Sequence, residues 1–140
     1  MFGKIVLAVD GSDHAVHAAR VAGDLARSMQ AESVRVLVVF PPIPFFLGEP
    51  NMQAAIDSRM NESNSVLKSA LQALGEIPGE IHTEVIEGSP AEVIINVATV
   101  RQADLIVMGS RGLGTLGGLL LGSNSQKVVS HGPCPVLITR

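Results

Sequence analysis

Apolar residues along the chain follow two rhythms that alternate. Residues 4–9, Lys-Ile-Val-Leu-Ala-Val, form a short β-branched run closed by Asp10-Gly11-Ser12, the pattern of a buried strand. Positions 15, 18, 19, 22, 25, 26 and 29 then carry alanine or larger apolar residues at helical spacing, with Ser12 as the N-cap. Residues 34–40 predict a second strand, stopped by Pro41-Pro42, which cannot donate to a ladder. Residues 41–50 hold four of the eight prolines and predict a loop. Asn51 offers a cap for a longer helix with a mostly apolar stripe at 52, 55, 56, 60, 63, 67, 70, 71 and 74, closed by Gly75.

The second half repeats the alternation. Residues 80–87 predict a more polar strand near a sheet edge. Ser89-Pro90-Ala91-Glu92 combines an N-cap serine, a first-turn proline and a glutamate in capping-box position. Residues 104–109 predict a fourth strand, Ser123-Asn-Ser-Gln126 a second boxed helix start, and residues 134–139 a last strand. Nearly continuous apolar strands with helical crossovers imply a parallel sheet covered on both faces. No linker, repeat or low-complexity stretch interrupts residues 1–140. The expectation is a single doubly wound α/β domain, with a five-stranded parallel sheet and helices on both faces.

Composition narrows the class further. A chain of 140 residues closes one core burying roughly two-thirds of its unfolded surface, and 46% hydrophobic with 16% charged residues describes a folded globule. Four Phe, no Tyr and no Trp leave no stacking platform for single-stranded nucleic acid, and a net charge of −3 does not suit a general polyanion binder. One cysteine cannot form an internal disulfide. There is no secretory-type opening, and no apolar run approaches the ~18 residues of a membrane span. No membrane association and a cytoplasmic location are therefore expected.

Chemistry concentrates late in the chain. Six of the fourteen glycines lie at 109, 112, 114, 117, 118 and 122, after a strand's carboxyl end and before a helix start, where ligands bind in open α/β sheets. Glycine lets backbone N–H groups approach a phosphate, and a helix N-terminus adds favourable partial charge. No Asp or Glu follows Asp104, whereas Arg111, Lys127 and Arg140 do. Tight turns alone also account for many glycine-rich connections. Gly112-Leu-Gly114-Thr-Leu-Gly117 matches G-x-G-x-x-G, but no acid lies ~20 residues on and no second mononucleotide half follows. The Walker pattern is absent, since Gly122 runs into Ser123 without a lysine.

The spacing that does fit is G-x2-G-x9-G-[ST], at Gly109, Gly112, Gly122 and Ser123. With the opening Ile-Val-Leu-Ala-Val-Asp-Gly-Ser and the closing Cys-Pro-Val-Leu-Ile, the chain resembles, over its full length, the universal stress proteins of the ATP-binding type. The resemblance implies a Rossmann-like fold related to the adenine nucleotide α-hydrolases, with ATP as ligand, Mg²⁺ accompanying it, and the matching glycines and Ser123 around the phosphates. It also implies that Asp10 sits near the adenosine moiety, that Val39 reaches adenine through its backbone, and that a homodimer forms through residues 134–139. Arg111 is placed for the phosphate tail, Ser125 as an extra phosphate donor, and Met108 beside Gly109. Asn124 joins the expected site with its role open, because many members carry an apolar residue there.

Plainer readings stand beside these. Asp10-Gly11-Ser12 is also ordinary turn chemistry. His14 and His17, three apart without a third ligand, read as a solvated helix face rather than a metal site. His82 and His131 have no visible partner, and Cys134 reads as a small packed side chain. Phe45 and Phe46 in the 41–50 loop suit a lid, a partner surface or a simple connection. Phosphoryl transfer needs a metal-holding acid and a residue orienting the nucleophile, yet only Asp10 can be placed at the site. The expected function is therefore ATP binding as a nucleotide-dependent stress-response or signalling module, with no catalytic residue. The alternatives are a slow ATPase or phosphoryl or adenylyl transferase, and a nucleotide-free interaction protein.

Overall fold

A computed structural model of the chain describes residues 2–42, 48–110 and 121–140. Expectations for Phe45, Phe46, Arg111, Gly112, Gly114, Gly117 and Gly118 therefore lie outside the described residues. The elements are β1 (Lys4–Val9), α1 (Asp13–Met29), β2 (Ser33–Phe40), α2 (Asn51–Leu74), β3 (Glu80–Glu87), α3 (Pro90–Val100), β4 (Leu105–Gly109), α4 (Ser123–His131) and β5 (Val136–Thr139). The strands form one five-stranded sheet in the order β3-β2-β1-β4-β5, every pairing parallel. The expected five-stranded doubly wound sheet is the one observed.

β1 sits at the centre, and its last five residues are buried. Alternate residues of the inner strands feed two cores on opposite faces. Ile5, Leu7, Val34, Val36 and Val107 pack with α1 and α2, whereas Val6, Leu37, Ile106 and Met108 pack with α3 and α4. α1 meets the sheet through Ala15, Ala18, Ala19, Ala22 and Ala26, all buried. These small side chains bring the helix axis close to the strands.

The two helices of one layer join at a glycine. Gly23 of α1 lies so close to α2 that a Cβ there would stand 2.2 Å from the Leu74 carbonyl oxygen. Arg27, one turn on, donates through Nη1 to the carbonyls of Leu74 and Glu76, 2.9 Å each, and so satisfies acceptors left over at the end of α2. Gly75 closes that helix at φ 73°, its N–H donating to Leu71 O.

The outer strands differ from the centre. β3 is polar because its partner at this edge is charge as well as packing: Arg35 of β2 pairs with Glu84, and Arg101 lies 3.8 Å from the same carboxylate. β5 forms the opposite edge and is shorter than expected. Cys134 and Pro135 precede it, and Pro135, without an N–H, contributes only its carbonyl, which accepts from Ile106 N at 3.0 Å.

Several helix starts also depart from expectation. Pro50 is the N-cap of α2 and Asn51 its first residue, with no side-chain cap bond. Ser89 caps α3 by position, but its exposed hydroxyl makes no cap bond, so the capping box is not formed. The stripe on α2 is buried only in its second half, at Ser63, Ala70 and Leu74, while Ile56 and Met60 are 37% and 46% exposed. At 1.5 Å per residue the 24-residue α2 outruns the 17-residue α1 by about 10 Å, so its first turns extend past the helix it packs on.

Two outcomes follow from these contacts. Gly23→Ala gains about 1 kcal/mol in helix propensity, but the steric conflict with the Leu74 carbonyl outweighs it. Urea unfolding is expected to show a net loss of about 1–2 kcal/mol; a neutral or stabilised variant would contradict the close packing. Burial pushes the Cys134 thiol above its ordinary range, and the Asp104 carboxylate adds to the shift. Cys134 should therefore be alkylated more slowly at neutral pH than an unstructured cysteine, by a timed iodoacetamide reaction; equal rates would contradict it.

Candidate functional site

The chain builds β1, β2 and β3 outward on one side of the sheet, then returns to place β4 on the other side of β1. The strand order therefore reverses between β1 and β4, where a crevice opens at the carboxyl ends of these strands. A cavity of about 290 Å³ occupies it. Asp10, Val39, Met108, Gly109, Gly122, Ser123, Asn124 and Ser125 all line it. Eight of the ten expected residues are thus brought together, while Arg111 and Gly112 lie outside the described residues.

Its two ends differ in chemistry. Ala8, Leu37, Val39, Ile94, Pro90 and Met108 make an apolar wall from three strands and α3. Four of these six, Ala8, Leu37, Pro90 and Ile94, were not foreseen. Their signal is the two-residue strand period, which puts Leu37 beside Val39 on one face, and the start of α3 directly after a strand's carboxyl end.

The other end is polar and centred on the start of α4. Its N-cap is Gly122, which has no side chain to satisfy the first-turn donors. The first intrahelical bond runs from Gln126 N to Gly122 O, 3.0 Å, so the N–H groups of Ser123, Asn124 and Ser125 have no acceptor within the helix. The expected box starting at Ser123 is not formed. Ser123 is the first helical residue, and Ser125, the buried hydroxyl nearby, faces the other way.

Ser125 Oγ donates to the carbonyls of Gly109 at 2.9 Å and Ser110 at 3.0 Å. A hydroxyl carries one proton, and here two backbone acceptors share it. Ser125 Oγ thus clasps the end of β4 to α4. Across the crevice, half-buried Asp10 accepts the Ser12 N–H through Oδ1 at 2.9 Å, and Ser12 Oγ accepts Ala15 N–H at 3.2 Å. Asp10 thus makes the turn bond and also lines the cavity.

Gly109 has a packing duty. A Cβ at this position would stand 2.7 Å from the His14 Cβ and 3.0 Å from its carbonyl carbon. The histidines also correct their expectation. His14 Nδ1 lies 2.9 Å from Ser110 Oγ, and His17 Nδ1 lies 2.6 Å from the carbonyl of Arg140. α1 therefore presents them to β4 and the chain end rather than to water alone. His82 Nε2 has Glu80 at 3.1 Å. Among the described residues no cluster of three or more His, Cys, Asp or Glu could hold a metal ion, and no helix is long and apolar enough to cross a membrane.

Fold and crevice together define a doubly wound α/β protein with a cavity at the switch between β1 and β4. Its profile places it more narrowly, since the universal stress protein family matches residues 1–140: the chain belongs to that family. It is 49% identical over 142 residues to a universal stress protein of Thermus aquaticus, covering 100% of both chains. The solved universal stress protein UspA of Lactobacillus plantarum superposes with a TM-score of 0.86 at 26% identity, covering 99% of this chain and 98% of that one. The same fold recurs in a universal stress protein solved with cAMP (TM-score 0.71, 24% identity, 98% and 96% covered). It recurs again in one from Archaeoglobus fulgidus solved with dAMP (TM-score 0.69, 22% identity, 100% and 98% covered).

The contact at Gly109 yields a direct test. Gly109→Ala must displace the backbone of α1, and urea unfolding without any ligand is expected to show a loss of about 1–3 kcal/mol. An unchanged midpoint would mean that the glycine is not required by packing.

Proposed function

We propose that the protein binds ATP, with Mg²⁺, in the crevice between β1 and β4 and acts as a nucleotide-dependent stress-response or signalling module. The observation that carries this reading is the joining of an apolar wall, suited to a purine, to the uncapped N-terminus of α4, suited to phosphate. Relatives solved with cAMP and dAMP support the adenine nucleotide class. The triphosphate is what the resemblance of the Gly109, Gly112, Gly122 and Ser123 spacing to the ATP-binding members of the family implies.

Each residue then has a part. Val39, Leu37 and Ile94 line the base-binding end, and the first-turn N–H groups of Ser123 and Asn124 meet phosphate oxygens. Such an anion at a helix N-terminus is worth about 0.3–1 kcal/mol, rising to about 2 when partly buried. Asp10 is the only acid among the described lining residues, and its oxygens suit the hard Mg²⁺ ion. Bound Mg²⁺ would neutralise phosphate charge. With one acid and no base among the lining residues described, the site favours holding ATP over hydrolysing it. Such a module works where ATP is abundant, so a cytoplasmic location belongs to the proposal.

The edge strand completes the reading. β5 is short and apolar, with one edge paired to β4 and Val136, Leu137 and Ile138 half-buried. An unpaired apolar edge invites a second copy, and a homodimer through residues 134–139 would cover it.

Calorimetry with ATP and Mg²⁺ is expected to show saturable binding, weakened on the order of tenfold or more by Gly122→Val, which sets a branched side chain at the start of α4. No heat at millimolar ATP would defeat the proposal. Sedimentation at micromolar concentration is expected to give a dimer; a monomer would defeat the assembly.

A further inference from the structure

Ser110 follows β4 directly and is only 2% exposed, yet none of its polar groups is left to chance. Its N–H donates to Thr139 O of β5 at 2.6 Å. Its carbonyl accepts the Gly122 N–H at 2.7 Å and the Ser125 hydroxyl at 3.0 Å, both from the start of α4. Its hydroxyl meets His14 Nδ1 of α1 at 2.9 Å, and Thr139 Oγ1 donates back to the His14 carbonyl at 3.1 Å. Four elements, α1, β4, β5 and α4, are thus tied through one residue.

The ring has one side-chain member outside the crevice lining on which Ser110 depends for its hydroxyl. His14 stands where the missing Cβ of Gly109 lets α1 approach β4. We propose that His14 is a positioning residue of the nucleotide site: by holding Ser110 Oγ it fixes the carbonyl that sets Gly122 and the first turn of α4 in phosphate-binding geometry. The inference rests on the nucleotide reading above. A site whose donors are held in place before binding avoids the cost of ordering them on binding, so the effect appears in affinity more than in stability.

Asparagine separates this role from bulk packing, because its side-chain amide reaches the place of Nδ1 and can keep the hydrogen bond. His14→Ala is expected to bind Mg²⁺-ATP about fivefold more weakly than the unaltered protein, the worth of one ordinary hydrogen bond, while His14→Asn stays within about twofold. Ser110→Ala should weaken binding similarly, and the double variant His14→Ala/Ser110→Ala should be no weaker than either alone. Amide exchange at Gly122, read without nucleotide, should quicken in His14→Ala and return in His14→Asn. Alanine binding as tightly as histidine, asparagine failing to rescue, or additive losses would overturn the positioning role and leave the nucleotide reading standing. No binding by the unaltered protein would overturn the nucleotide reading and this role with it, whereas unchanged Gly122 exchange in His14→Ala would overturn the role alone.

Discussion

The structure depends on one constraint: β1 is hydrogen-bonded on both edges and packed on both faces. A strand in that position has to be apolar at every residue that a neighbour covers, and residues 5–9 are all buried. Two-sided burial demands a helical layer on each face, which fixes α1 and α2 opposite α3 and α4. Pairing on both edges demands that the chain leave β1 in one direction and come back on the other side. The crevice follows from that reversal, before any residue of the site is considered.

Within the crevice, the strict requirements fall on backbone. Gly109 lacks a Cβ because α1 passes within contact distance, and Ser125 spends its hydroxyl on the carbonyls that end β4. These features hold the start of α4 against the sheet. The donors left facing the cavity are backbone N–H groups, which need no particular side chain at Ser123 or Asn124.

The strand pattern was legible because parallel, two-sided burial writes itself as unbroken apolar runs. The site was legible to the extent that it is local: the glycine spacing and the strand-end acid are short-range signals, and together with the family resemblance they led to eight of the cavity's residues. Contacts across the chain left no such trace. His14 and Ser110 are 96 positions apart, so the histidine looked solvated. The first half of α2 looked buried because amphipathic spacing reports a stripe, not whether another helix is long enough to cover it. Capping failed at Asn51 and Ser123 because the N-cap falls one residue earlier, at Pro50 and Gly122, and at Ser89 because a side chain in the cap position makes no bond to the first turn.

The central claim is that one crevice holds an adenine nucleotide, with base and phosphates at its two ends. A crystal structure grown with Mg²⁺ and a non-hydrolysable ATP analogue tests it most directly. The account predicts the purine against Val39 and Ile94, with phosphate oxygens within hydrogen-bond distance of the Ser123 and Asn124 amides. A nucleotide bound elsewhere, or phosphates pointing away from the start of α4, would contradict it.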